Sequence, residues 1–350
     1  MKTLFFSNLL NPCVNKLFFI FGYLFFLLYA FQARSGETFI TETVWVENRS
    51  PIMQLFSLSR PDFYPNQTTG TITWSPRLEV VNYISSTRKG GDFIFIDGET
   101  WQISNTLRFQ LNPQTQIQAT LPWIKHNEGL FDNFIYHFHE LFQLLQNGRT
   151  QEFNDRMTWI FESNGEQVLL YEENTSALGD LQLKLFWTPE SKRNIQLSGL
   201  LKLPTGNFAH QTGSENIDIG FSATHMNPDW FRQREFLEHK TLAFWYGAGI
   251  SYIGKAQKLK DFDNYPLSLT FRSGLALEIS PKWQLKIQAD TNSPLFNTKI
   301  RELGWFPVQL TTAIAHTINE STQVDFSIIE DLRPRSAPDV IFNSGLSIHF

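Results

Sequence analysis

The sequence predicts an all-β protein, a transmembrane antiparallel up-and-down β-barrel of about twelve strands with an amphipathic helix in a long outer loop. Three observations predict it. Beyond residue 75, apolar and polar residues alternate with period two, so each segment presents one apolar and one polar face. The segments run to about ten residues or more, the length a tilted strand needs to cross a bilayer, against about five or six for globular strands. Tight connections also alternate with long polar ones, the rhythm of short periplasmic turns and longer outer loops.

The first element is an export signal. Leu17 to Phe31 is a continuous apolar run with Lys2 and Lys16 ahead of it and the small residues Ala30 and Ala33 at its end. The run is shorter than the roughly 20 residues of a spanning helix, so residues 1–33 read as a secretory signal peptide cleaved near Ala30 or Ala33, with a membrane-anchored helix as the runner-up. Cleavage removes Cys13, the single Cys, and leaves a thiol-free chain suited to an oxidising compartment. The next segment, 34–75, carries Pro51, Pro61 and Pro65 and is expected to form either a periplasmic arm or an inward-folded plug. Residues 76–350 are assigned to the barrel, interrupted by a helical loop insertion over 124–179.

Composition excludes several classes of protein. A chain with 42% hydrophobic residues and 33 Phe is not disordered, and a single Cys rules out both a disulfide-stapled miniature and a Cys-ligated metal protein. With 29 Lys and Arg against 34 Asp and Glu, and no basic block, a nucleic-acid partner has no electrostatic footprint.

Twelve strands are expected at about 76–86, 93–111, 114–123, 180–188, 194–203, 216–225, 240–253, 265–279, 282–291, 304–318, 321–331 and 339–350. In the second, Gln102, Ser104, Thr106, Arg108 and Gln110 alternate with Trp101, Ile103, Leu107 and Phe109. Asn112-Pro113 then turns the chain into Gln114, Gln116, Gln118 and Thr120 alternating with Ile117, Ala119 and Leu121. The same pattern flanks the turns at Thr188-Pro189, Ser280-Pro281 and Asn319-Glu320-Ser321. The even count leaves both termini on the periplasmic side. A soluble sandwich with its apolar faces inward also yields period two, but strand length and the export signal favour the inside-out barrel. Charges on the lipid face, such as Leu285→Arg or Val324→Arg, should therefore impair assembly, and Gln284→Arg should be better tolerated.

On that assignment Arg108, Lys184, Lys202, Asp218, Arg272, Glu278, Lys286, Asp290 and Asp325 face the lumen. Both signs are present, which suits either an ion-paired interior or a polar path for a small solute. Trp101, Trp123, Trp187, Tyr265, Trp283, Trp305 and Phe350 fall near strand ends, where aromatic girdles meet the headgroups.

The early Asn48-Arg49-Ser50-Pro51 followed by Phe56, the stretch Phe134 to Phe142 ending in Gly148-Arg149, and Leu203-Pro204-Thr205-Gly206 leading to Gly213-Ser214 and Asp218 together resemble a family of Gram-negative outer-membrane β-barrels described only as a domain of unknown function. The Leu-Pro-Thr-Gly hairpin is also similar to one in the phenol-degradation-type outer-membrane barrels, proposed to pass small hydrophobic compounds. The resemblance spans most of the mature chain and implies fold and compartment, with no activity attached.

Gly129 to Gln146 breaks the alternation. Phe131, Phe134, Ile135, Phe138, Leu141, Phe142 and Leu145 recur at helical spacing, which predicts an amphipathic helix. His137, His139 and Glu140 on it make a poor metal site, because His-x-His on a helix points its rings apart. An outer-membrane lipid-modifying enzyme needs a Ser-His pair at the rim; His210, Ser214 and Asp218 are the nearest candidates, and no G-x-S-x-G elbow accompanies a His. No cofactor, metal or catalytic residue is expected. The expected role is a channel or passive transporter of small solutes, hydrophobic ones included, with a purely structural barrel as the alternative. The expected partners are outer-membrane lipid and lipopolysaccharide, and the assembly machinery reading Phe350 at the C-terminus.

Overall fold

A computed structural model describes residues 41–129, 137, 156–228, 230, 241–255, 259, 264–333 and 335–350. The strands among them are β1 (Ile72–Lys89), β2 (Asp92–Asn112), β3 (Thr115–Asn127), β4 (Thr158–Ser163), β5 (Glu166–Tyr171), β6 (Ser176–Leu178), β7 (Leu181–Trp187), β8 (Ile195–Leu203), β9 (Asp218–Asn227), β10 (Leu242–Tyr252), β11 (Leu267–Ser280), β12 (Trp283–Asn292), β13 (Val308–Asn319), β14 (Thr322–Asp331) and β15 (Val340–His349). Twelve of them, β1 to β3 and β7 to β15, close on themselves as an antiparallel barrel. Each pairs with its neighbours, β3 pairs with β7 across the long insertion, and β1 pairs with β15 to seal the seam. All twelve overlap the strands expected from the alternation. The first differs most: the expected 76–86 extends at both ends, because Ile72 to Ser75 still pair with Thr106 to Phe109 of β2 and the pairing runs on to Lys89 opposite Asp92.

The barrel is inside out. In β3, Gln116, Gln118 and Thr120 are buried while Ile117 and Leu121 are exposed, and the same holds for Ser268, Thr270 and Arg272 against Leu267, Leu269 and Phe271 in β11. An apolar outer wall over a buried polar inner one is stable only where lipid replaces water outside. Trp187, Tyr265 and Phe350 are exposed near strand ends, and Trp123, Trp283 and Trp305 are half-buried there, whereas the half-buried Trp101 lies midway along β2 and not at an end.

The three remaining strands lie within 124–179, where a helical insertion was expected. β4 extends the long-loop half of β2, and β4 and β5 are joined at Asn164-Gly165, whose φ values of +52° and +84° suit Asn-Gly at a tight hairpin turn. Trp159 and Phe161 of β4 are buried, with Trp159 5.7 Å from Tyr83 and 4.9 Å from His126 between ring centroids. Of Gly129 to Gln146 only Gly129 and His137 are described, so the expected amphipathic helix, with His139 and Glu140, lies outside the described residues, as does the signal peptide.

Candidate functional site: a filled lumen

The chain from Thr41 to Tyr64 runs inside the barrel. It alternates little, mixes apolar residues such as Val44, Trp45, Phe56 and Phe63 with charged and hydroxyl side chains, and most of it is buried. Near the tight-turn end the Thr41 hydroxyl donates to Gln284 (3.2 Å), and the Val44 amide donates to Gln288 (2.9 Å). Met53–Leu55 forms a short 3-10 turn at the long-loop end. The chain then returns, the Ser57 amide donating to Asp218 (2.9 Å), the Ser59 amide to Ser251 (2.7 Å) and the Tyr64 amide to Gln196 (2.9 Å). The two limbs of this inner segment hydrogen-bond each other through the Thr43 amide and the Phe63 carbonyl (3.2 Å). Gly247 and Gly249 of β10 face it without side chains: a Cβ on Gly249 would lie 2.2 Å from the Ser59 carbonyl oxygen, and one on Gly247 2.5 Å from Pro61. That wall is shaped to let backbone lie on backbone.

Ion pairs bind the inner segment to the wall. Asp62 accepts from Lys184 (2.7 Å) and from Arg272 (2.5 Å), and Arg272 also donates to Asp290 (2.6 Å), all four side chains being buried. Burial by itself would push the Asp62 carboxyl up, but Lys184, Arg272 and Arg60 outweigh it and hold it well below the usual carboxylate range. Arg49 pairs with Glu79 (2.8 Å) and with Glu47, which also pairs with Arg60. Closer to the long-loop end, Lys202 lies between Asp180 (2.9 Å) and Asp218 (3.0 Å) and donates to the Leu55 carbonyl (3.0 Å). Such pairs are taken out of water and hold only because each carboxylate collects several donors.

The nine charges expected in the lumen fall into separate groups instead of lining one path. Lys184, Arg272 and Asp290 meet around Asp62; Lys202 meets Asp218. Lys286 donates to the Glu42 carbonyl (2.9 Å). Asp325 accepts a two-pronged bond from Arg77 (2.8 and 2.9 Å), and Arg108 lies over the Tyr64 ring at 3.4 Å and donates to Gln118 (3.1 Å). Glu278, half-buried at the tight-turn end of β11, has no side-chain partner among the described residues. Sequence reasoning missed Arg49, Arg60, Asp62, Arg77 and Glu79. The first three lie in a segment without strand periodicity, and the signal available was charged residues set among Val44, Trp45, Val46, Phe56 and Phe63.

At the long-loop end the filling turns apolar. Ile52, Met53, Leu55 and Phe56 pack with Phe208, Leu295, Phe296, Ile300 and Leu303 from the outer loops. Between the inner segment and the wall the spaces are small: about 40 Å³ beside Val46, Arg60 and Asp290, and about 20 Å³ beside Trp45, Tyr64 and Arg108. Those volumes hold a water or two. The larger concavity, about 730 Å³ lined by Leu107, Ile117, Leu185, Gly199 and Phe221, opens on the outer, apolar face. Of the trio His210, Ser214 and Asp218, the Ser214 hydroxyl accepts from Lys202 (2.5 Å), Asp218 is bound by Lys202, Ser57 and Gly254, and His210 is exposed. Among the described residues no hydrogen bond joins the His210 ring to Ser214.

The closed barrel with an apolar exterior and a polar, filled interior is the fold of outer-membrane β-barrel proteins. The COG4313 outer membrane channel from Pseudomonas putida has a similar structure, with a TM-score of 0.54 and 12% identity, over 83% of this chain and all of that one. Weaker likenesses extend to the NanC porin (TM-score 0.41, 5% identity, 79% of this chain and 98% of that chain) and the CymD monoaromatic hydrocarbon channel (TM-score 0.38, 11% identity, 81% and 89%). No curated protein matches the sequence. A family model described as Protein of unknown function (DUF3187) matches residues 35–350, and the chain belongs to that family.

Proposed function

We propose that the protein is exported, loses residues 1–33, and resides in the outer membrane as a conduit for small solutes, hydrophobic ones included, with the inner segment as its resident plug. The observation that supports this reading best is the filling itself. A barrel built only as a scaffold can be filled by side chains of its own wall, whereas here a separate length of chain is held by ion pairs and by the bare glycines of β10. The apolar cluster at the long-loop end is buried under the outer loops, so a hydrophobic solute meets it only once those loops part, and the charged groups below it keep ions out while the plug is seated. No catalytic role is assigned to any residue.

The second reading, a structural barrel that conducts nothing, is favoured by the tightness of the filling. Gly249→Val separates them. The added side chain collides with the Ser59 backbone and should unseat the plug without touching the lipid face. In liposomes, folded wild-type protein should admit an uncharged monoaromatic compound slowly and the variant clearly faster, both remaining heat-modifiable on gels. If both are folded and equally impermeable, the structural reading holds.

A further inference from the structure

The rim where β13 begins and β14 ends carries a pair of arginines that the lumen does not use. Arg301, on the short helix Arg301–Gly304 between β12 and β13, places its guanidinium carbon 4.4 Å from the centre of the Trp305 ring. Arg333, from the connection after β14, lies 4.2 Å from the same ring and 3.8 Å from Phe306, and its guanidinium donates to the Phe306 carbonyl (3.5 Å). Two cations from separate loops thus share one indole, which orients both guanidiniums without neutralising either. Among the described residues neither arginine has a carboxylate within ion-pair distance. Asp331, close in sequence, is occupied by the backbone amides of Arg333 (2.9 Å), Ser336 (3.0 Å) and Ala337 (2.9 Å), and Glu330 pairs with neither arginine.

The surroundings place the pair at a membrane edge. Phe306 and Leu332 are 48% and 57% exposed; Phe306 continues the outward apolar row of Val308 and Leu310 on β13, and Leu332 lies on the outward side of β14 beyond Phe326, Ile328 and the half-buried Glu330. Apolar groups at acyl depth, an amphipathic indole above them and arginines at the headgroup level reproduce the order of an interface belt. The tight turns and both strand-terminal ends, Ile72 and His349, lie at the opposite end of the barrel.

We propose that Arg301 and Arg333, held on Trp305, bind a phosphate of the lipid A part of lipopolysaccharide, with acyl chains lying on Phe306 and Leu332. The inference rests on the outer-membrane reading above, with the tight turns facing the periplasm. Guanidiniums suit the task because their paired N–H groups match two phosphate oxygens at once.

The test uses the full, exported chain, extracted in detergent, with purified lipopolysaccharide, phosphatidylglycerol micelles and inorganic phosphate as separate probes. Wild-type protein should retain lipopolysaccharide in preference to phosphatidylglycerol, and inorganic phosphate should not compete at equal concentration. Arg301→Gln with Arg333→Gln should weaken retention by about tenfold or more, the scale of losing hydrogen bonds to a charged group, and Arg301→Lys with Arg333→Lys should recover part of it. Undiminished retention by the Gln variant, equal binding of phosphatidylglycerol, or competition by phosphate alone would each overturn the assignment. Heat-modifiable mobility shows that each variant is folded. Fractionation of the same cells tells the two readings apart: a barrel found in the outer membrane but indifferent to lipopolysaccharide removes only this site, whereas a barrel found elsewhere removes the parent reading.

Discussion

Replacing Asp62 with Ala should destabilise the folded barrel by about 3–5 kcal/mol, the range for breaking a buried ion pair from one side. Lys184 and Arg272 are almost fully buried and meet at this carboxylate. Without it, two positive charges remain in a space too small to hydrate them, with Asp290 left to serve Arg272 alone. Because the plug holds one side of this contact and the wall the other, part of the loss should appear as release of the plug before global unfolding. The temperature at which gel mobility shifts should fall, and protease access to residues 41–64 should rise at a lower temperature still. The effect has a defined pH dependence. The carboxyl is held below its ordinary value of 3.8 in the folded state, so its contribution is complete above that value and fades as pH falls through and below it. The difference between wild type and variant should therefore be the same at about pH 7 and about pH 5 and shrink only in stronger acid.

Ile287→Arg should cost about 2–4 kcal/mol, the penalty for a cation on the lipid face near the bilayer midplane. Ile287 is the fifth residue of the ten in β12 and 46% exposed, so its replacement has neither an interior to pair in nor a rim within reach. Glu320→Lys, in the exposed turn between β13 and β14, changes charge at the water-facing end and should be neutral within about 0.5 kcal/mol. Urea titration in lipid vesicles measures both. Gln284→Arg, which alternation alone marks as a tolerant lumen substitution, is a poorer control than the sequence suggests, because Gln284 is buried and accepts the Thr41 hydroxyl. A larger side chain there meets the inner segment instead of an open lumen.

Alternation reveals one strand and its two faces, so Arg272 and Asp290 could be set on the inward side of β11 and β12, and their register makes them direct partners. It cannot reveal what fills the space those faces enclose. The inner segment follows no period, because its residues answer to contacts scattered over several strands: Val44 to Gln288, Arg49 to Glu79, Ser57 to Asp218. The β4–β5 hairpin is a different case. Asn164-Gly165 between Trp159-Ile160-Phe161 and Val168-Leu169-Leu170 is a recognisable local hairpin signal, hidden by its place in a long connection where a loop was expected. The division of the inward charges into an Asp62 group, a Lys202 group and an Arg77–Asp325 pair depends on distances that only the closed barrel fixes.

If the chain's own N-terminal segment occupies the lumen of an outer-membrane barrel, Ser59 and Ser251 must be neighbours there, the Ser59 amide lying 2.7 Å from the Ser251 hydroxyl inside the wall. The most direct measurement is site-specific cross-linking of Ser59→Cys with Ser251→Cys in isolated outer membranes. A short thiol cross-linker should join the two in the folded protein and give a faster-migrating band that survives boiling. A large, membrane-impermeant thiol reagent should leave the thiol introduced at position 59 unmodified. Failure to cross-link, together with ready labelling of position 59 by that reagent in a heat-modifiable barrel, would put the segment outside the lumen and contradict the plugged conduit.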